Sequence, residues 1–261
     1  MYYFKIMRLF RAFLLAIALI GVSIAYPHGK GPVPEPGHEK IFFYTAKKLG
    51  IPILKASLHI ENGLSSQGKS FYQVRFEISS VLGILFHMNN RFTSIVETET
   101  CVPVQYVKEI DQSGFLKEKK DYRETFLFDP DHQRVMIEKK GEREKREVSL
   151  PPETFDPLSM FARCYLKEDF PLRQEIRMIV YDGLKVRHLV FRPRVERIQT
   201  KIFGEIEAVC IEAKTTFASF EDKEGVIRIW YTNDGKKTPV LMELDLPVGS
   251  VKFELDEIRE G

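Results

Sequence analysis

Phe155-Asp156-Pro157-Leu158-Ser159-Met160-Phe161-Ala162-Arg163-Cys164-Tyr165-Leu166 is the stretch that decides the architecture. It is the clearest helix in a sequence otherwise written in strands. Asp156 stands where an N-cap stands, so its carboxylate can accept from the free N–H groups of the first turn. Pro157 follows at the first helical position, where a missing N–H costs nothing. Leu158, Phe161, Ala162, Tyr165 and Leu166 then make one apolar stripe at helical spacing. A helix this short is not stable alone, so the stripe is expected to be buried against a sheet.

Outward from the helix the pattern is one of strands. Ile41–Lys47, Ile53–Glu61, Phe71–Ile78, Phe92–Glu99, Val102–Ile110, Tyr122–Phe128 and Arg134–Glu138 precede it. Glu175–Tyr181, Leu184–Phe191, Val195–Ile202, Ile206–Ala213, Val226–Tyr231, Val240–Asp245 and Ser250–Leu255 follow it. Val81–Met88 is apolar nearly throughout, and its period does not choose between strand and helical turn. Asp182-Gly183 is the strongest two-residue hairpin signal. Lys139–Glu147 mixes both signs of charge and reads as a solvated hairpin tip. Short strands at regular spacing predict a meandering antiparallel sheet, and an open sheet of this size must curl, close or split. The expected fold is mainly β: a strongly curved antiparallel sheet, an open barrel, around one central helix. A single β-rich domain is expected over 41–258.

The start of the chain reads as a secretory signal peptide over 1–25. Lys5, Arg8 and Arg11 form its charged region, Ala12–Val22 its apolar run, and small residues stand before a cleavage site between Ala25 and Tyr26. The apolar run is short for a membrane span. The processed chain is therefore expected to be periplasmic and not integral to the membrane, with an uncleaved inner-membrane anchor as the alternative. Residues 26–40 are rich in Pro and Gly and read as a flexible lead-in. The whole chain carries a formal net charge of +2. The first 25 residues hold three of the cations and no acid, so the rest is close to neutral. That balance excludes the strong basic excess of a nucleic-acid binder.

The second half resembles one exported bacterial family. The residues that carry the likeness are Asp156-Pro157-Leu158-Ser159, Tyr181-Asp182-Gly183-Leu184-Lys185, Gly204 with Ile206 and Ala208, Ile229-Trp230-Tyr231-Thr232-Asn233-Asp234, Pro239-Val240 and Gly249-Ser250-Val251. Phe43-Tyr44 with the Gly50 turn, and Phe128-Asp129, extend it to the first half. The family is catalogued as domain of unknown function 3108, and the similarity covers about residues 40–256. The resemblance implies an exported, curved antiparallel sheet, broadly similar to the carriers that move lipoproteins across the periplasm. It brings no catalytic residues with it.

No constellation in the sequence carries chemistry. His28, His38, His59, His87, His132 and His188 are scattered without metal-ligand spacing, and a G-x-S-x-G elbow and a P-loop are absent. No metal, cofactor or catalytic residue is expected. Cys101, Cys164 and Cys210 lie far apart without C-x-x-C spacing. They read as small buried hydrophobes, and whether two of them pair is open. Trp230, the only Trp, lies beside Tyr231 in a strand and is read as core, or as a ring that stacks a ligand. The candidate ligand-binding or core-plug face is Leu158, Phe161, Tyr165 and Trp230.

The function expected is that of a non-enzymatic periplasmic protein that binds a lipid, or a hydrophobic peptide, in envelope assembly or transport. An envelope protein is a further possible partner. The alternatives are a structural or protein-docking module with a filled core and, more remotely, a hydrolase of envelope polymers.

Overall fold

Strand β4 (Phe86–Glu97) shows how the sheet is written: Phe86, Met88, Asn90, Phe92, Ser94 and Val96 are buried while His87, Asn89 and Arg91 face water. Alternation of this kind gives a sheet one dry face and one wet face. The computed structural model describes residues 38–48, 50–66, 68–81, 86–114, 117–172, 174–217, 223–246 and 249–261. The cleavage site at Ala25 and Tyr26, nearly all of the lead-in with His28, and the middle of Val81–Met88 lie outside the described residues.

Among the described residues, nine strands precede the helix, the first eight being β1 (Glu39–Lys48), β2 (Ile51–Ser66), β3 (Lys69–Ser80), β4, β5 (Pro103–Gly114), β6 (Lys117–Asp129), β7 (Arg134–Lys139) and β8 (Arg146–Ser149). The two-residue β9 (Thr154–Phe155) leads into helix α1 (Pro157–Leu166). Then come β10 (Ile176–Tyr181), β11 (Val186–Thr200), β12 (Gly204–Phe217), β13 (Lys223–Thr232), β14 (Pro239–Leu246) and β15 (Gly249–Glu260). All belong to one 15-stranded sheet in which β1 pairs with β15, so β8 and β9 are its two edges. Every ladder is antiparallel except the short parallel pairing of β9 with β10.

The topology forces the curvature. Laid flat, fifteen strands would span about 67 Å at a spacing of ~4.8 Å. The edges β8 and β9 are nevertheless joined by Leu150–Glu153 alone, a link that reaches about 18 Å at most. The sheet must therefore roll until its edges meet, and the result is an open barrel. Side chains bridge the seam. Phe126 of β6 meets Tyr181 of β10 edge-to-face at 6.2 Å, and Lys108 of β5 donates to the Asp182 carbonyl at 2.8 Å.

Helix α1 lies inside the roll, against β3, β4, β9 and β10. Its burial goes beyond a stripe. Met160 and Cys164 are buried along with Leu158, Phe161 and Ala162, and no residue of the helix is fully exposed. Tyr165 and Leu166, expected in the dry stripe, are half-buried. A helix enclosed on nearly every side has no wet face to alternate with.

Three elements differ from the sequence reading. Leu184–Phe191 and Val195–Ile202 are one bent strand, β11, which runs through Pro193. The charged stretch ends in β8, whose exposed charges conceal its pairing with β7. Thr154–Phe155, assigned to no strand in the sequence, form the short β9. β11 also changes partner along its length. Val186–Phe191 pair with β10, whereas the ladder with β12 begins only at Arg192↔Glu212. Ala213–Phe217 of β12 pair with β13. Beyond Arg192 and Glu212, the two strands leave a gap in the wall.

Candidate functional site

A cavity of about 300 Å³ lies between α1 and the inner face of the sheet. Pro157, Leu158, Met160 and Phe161 form its helical wall. Phe76 and Phe92 close it from β3 and β4, and Ile229, Met242, Leu244 and Phe253 close it from β13 to β15. The rings are tied together, with Phe76 stacked on Phe92 at 6.5 Å and edge-on to Phe253 at 6.4 Å. Strand alternation brings these side chains to one face, and the roll turns that face inward. Asp182, Arg187, Thr215 and Thr216 form one polar side of the cavity, and Arg228 and Glu243 add polar groups from β13 and β14.

Asp182 organises that polar side. Its carboxylate accepts from the N–H groups of Leu184 and Lys185 and from Arg187 Nε at 2.9 Å. Arg187 Nη1 reaches across the gap in the wall to Thr216 Oγ1 at 2.6 Å. Behind the turn lies Lys108, almost wholly buried. Its Nζ stands 4.7 Å from the Phe126 ring centre, a favourable seat for a cation. Burial pulls the Lys108 ammonium down to about 8, against the upward pull of Glu124 and Asp182. Burial in turn pushes the Glu124 carboxyl up, against the pull of Lys108.

At the other side of Lys108 is the helix cap. Asp156 Oδ1 accepts from Leu158 N at 2.8 Å and Ser159 N at 3.2 Å, and its own N–H donates to Ser159 Oγ, a reciprocal capping box. Its second oxygen accepts from Ser94 of β4 at 2.7 Å, so the cap also fastens the helix to the sheet. Burial pushes the Asp156 carboxyl up, while Ser94 and the cap bonds hold it down. Asp156→Ala strands the Ser94 hydroxyl as well as the first-turn N–H groups. Its expected cost is about 2–3 kcal/mol, above the ~0.5–2 kcal/mol of an ordinary cap. Asp156→Asn keeps one oxygen for the cap and offers an amide N–H that the Ser94 hydroxyl can accept, so it should cost less. Urea denaturation of the two variants is the check, and equal losses would mean that neither the cap oxygen nor the Ser94 contact contributes.

Of the residues singled out in the sequence, Leu158 and Phe161 line the cavity. Tyr165 stands behind Phe161, stacked on it at 6.0 Å and edge-on to Phe42 at 5.8 Å. Trp230 does not join them. Tyr231 points inward and stacks on Phe161 at 6.3 Å, so its neighbour Trp230 faces outward by strand alternation. Trp230 pairs across the strands with Cys210 and Leu241. Its indole N–H donates to Glu196 at 2.7 Å, under a network in which Arg194 and Arg228 share Glu212 at 3.0 and 2.6 Å. It is buried beneath that network and does not line the cavity.

Sequence reasoning missed Lys108 and Arg187. A signal for Lys108 was present: it falls midway between Tyr106 and Ile110, and shared parity puts all three on one face. Cys101, Cys164 and Cys210 are buried and unpaired. Burial pushes the Cys210 thiol up to about 12 and the Cys164 thiol up as well, and His188 lies at the surface, away from the buried Cys164. Among the described residues, no three His, Cys, Asp or Glu side chains gather as a metal site would need. Nor, among them, is any helix long and apolar enough to cross a membrane.

No curated protein matches the chain. Among solved structures it is similar to the "Crystal Structure of Beta-barrel-like Protein of Domain of Unknown Function DUF1849 from Brucella abortus". The identity is 11%, the match covers 88% of this chain and 99% of that one, and the TM-score is 0.55. That likeness concerns the fold alone. A sequence profile of one family spans residues 42–256, nearly the whole rolled sheet, and by it the chain belongs to the family described as "Protein of unknown function (DUF3108)".

Proposed function

We propose that this is an exported, non-enzymatic protein of the periplasm whose cavity binds a lipid or another hydrophobic molecule in envelope assembly or transport. The observation that carries the reading is the apolar cavity of about 300 Å³ behind α1. Ligand pockets run from ~300 to 1,000 Å³ and are mostly apolar with a few placed polar groups. If a methylene takes about the ~30 Å³ of a water molecule, the space suits one chain of about ten carbons. A two-chain phospholipid would not fit. A docking module with a core filled by Leu158, Phe161 and Tyr165 would have no such space. The charged and apolar segments at the start of the chain support export.

The test uses the purified full chain and the neutral fluorophore N-phenyl-1-naphthylamine. One saturable site is expected. Met242→Trp, which places an indole in the cavity, should abolish it while leaving the thermal melt intact. Native mass spectrometry of protein taken from its own envelope should reveal a retained hydrophobic molecule. Absence of saturable binding, or binding indifferent to Met242→Trp, would overturn the proposal.

A further inference from the structure

Between the long strands β11 and β12, the wall of the roll opens where no ladder crosses it. The gap forms a polar depression of about 310 Å³ lined by Arg187, His188, Lys214, Thr215, Thr216 and Glu224, among others. Arg187, Thr215 and Thr216 also line the apolar cavity. The two spaces are therefore neighbours with one shared wall, the depression wet and the cavity dry. A polar depression beside an apolar cavity matches the two halves of an amphiphile.

We infer that this gap seats the anionic head group, a carboxylate or a phosphate, of a single-chain amphiphile whose tail fills the cavity; the inference rests on the cavity reading above. The donors suit an anion. Arg187 and Lys214 line the depression with Glu224, and Asp182 pairs with Arg187 from the cavity side, so the fit to an anion rests on the placed N–H and O–H donors and not on an excess of charge. Arg187 is held in place for such a contact: its side chain is 11% exposed, with Nε on Asp182 and Nη1 on Thr216. Asp182 orients the guanidinium and is itself occupied by two backbone N–H groups. A guanidinium is planar and carries five N–H donors, the geometry that anionic oxygens prefer. The Thr216 hydroxyl, already in contact with Arg187, can donate to the same oxygens. A cationic head would be repelled by Arg187 and Lys214, and an uncharged one would leave the anion's charge-assisted bonds unmade.

Displacement of N-phenyl-1-naphthylamine from the full chain tests this with four ligands of equal chain length: dodecanoate, dodecyl phosphate, dodecan-1-ol and dodecyltrimethylammonium. The better anion should displace the probe about tenfold more effectively than the alcohol, the worth of one hydrogen bond to a charged group. The cation should be weakest. The ranking of dodecanoate against dodecyl phosphate names the head group. Arg187→Gln, and separately the surface substitution Lys214→Gln, should draw the alcohol-to-anion ratio toward one. A variant that merely misfolds weakens both ligands together and leaves the ratio unmoved. Equal displacement by alcohol and anion, or an anion advantage that survives both substitutions, would overturn the head-group seat and leave the cavity reading standing. Failure of all four ligands to displace the bound probe would remove the cavity reading too.

Discussion

Phe161→Ala is expected to destabilise the protein by about 3–5 kcal/mol, the cost of truncating a large ring in a core. Phe161 is the ring on which the interior converges. It is buried, stacks on Tyr165 and on Tyr231, and presents its remaining side to the cavity. The strands around it are fixed by their ladders and cannot move in to fill the space. The lost volume would add to the existing cavity, so the same variant should accept a longer acyl chain than the parent. Urea denaturation gives the first number, and displacement by a series of fatty acids gives the second. A near-neutral Phe161→Ala would mean that α1 does not plug the roll.

Gly183→Ala should cost a similar amount, about 3–5 kcal/mol, for a different reason. Gly183 has φ +96°, a conformation that L side chains rarely adopt, and a Cβ there would stand 2.2 Å from Lys108 Nζ. Backbone strain of this kind costs ~1–3 kcal/mol. Displacing the buried ammonium from the Asp182 carbonyl adds ~1.5–3 kcal/mol, as for other hydrogen bonds to charged groups. Gly204→Ala supplies the control. Its φ is +67°, yet nothing lies within 4 Å of the added methyl, so only the strain remains. Thermal denaturation should place Gly183→Ala well below Gly204→Ala. If the two melt alike, the turn does not close the seam against Lys108.

The fold was legible in the sequence to the extent that local patterns specify it. The Asp156-Pro157 start of the helix, the Asp182-Gly183 turn and most strands follow from residue-by-residue preference. The same holds for the roll of an over-wide sheet around Leu158 and Phe161. What was hidden depends on which strand neighbours which. Trp230 reads as core and is buried, and only the parity set by Tyr231 shows that it packs on the face away from the cavity. Lys108 shares the parity of Tyr106 and Ile110, but only the seam brings Gly183 over it. The pairing of Ser94 with Asp156 spans two elements that no local rule connects. The gap beside Arg187 arises because β11 changes partners partway along its length, and local patterns break that one strand into two.

The union of β1 with β15 also orders events in time. Phe42 finds Ile258 more than two hundred residues further along the chain. Each flanking meander is built of hairpins that can form as they are made, whereas this one ladder waits for β15. Non-local pairings of this kind are slow and leave sticky edges bare in the interim. Until β15 arrives, β1 and β14 are both open edges. A chaperone that shields the nascent chain would be needed longest at β1, and truncation before Gly249 should yield aggregates rather than a smaller barrel.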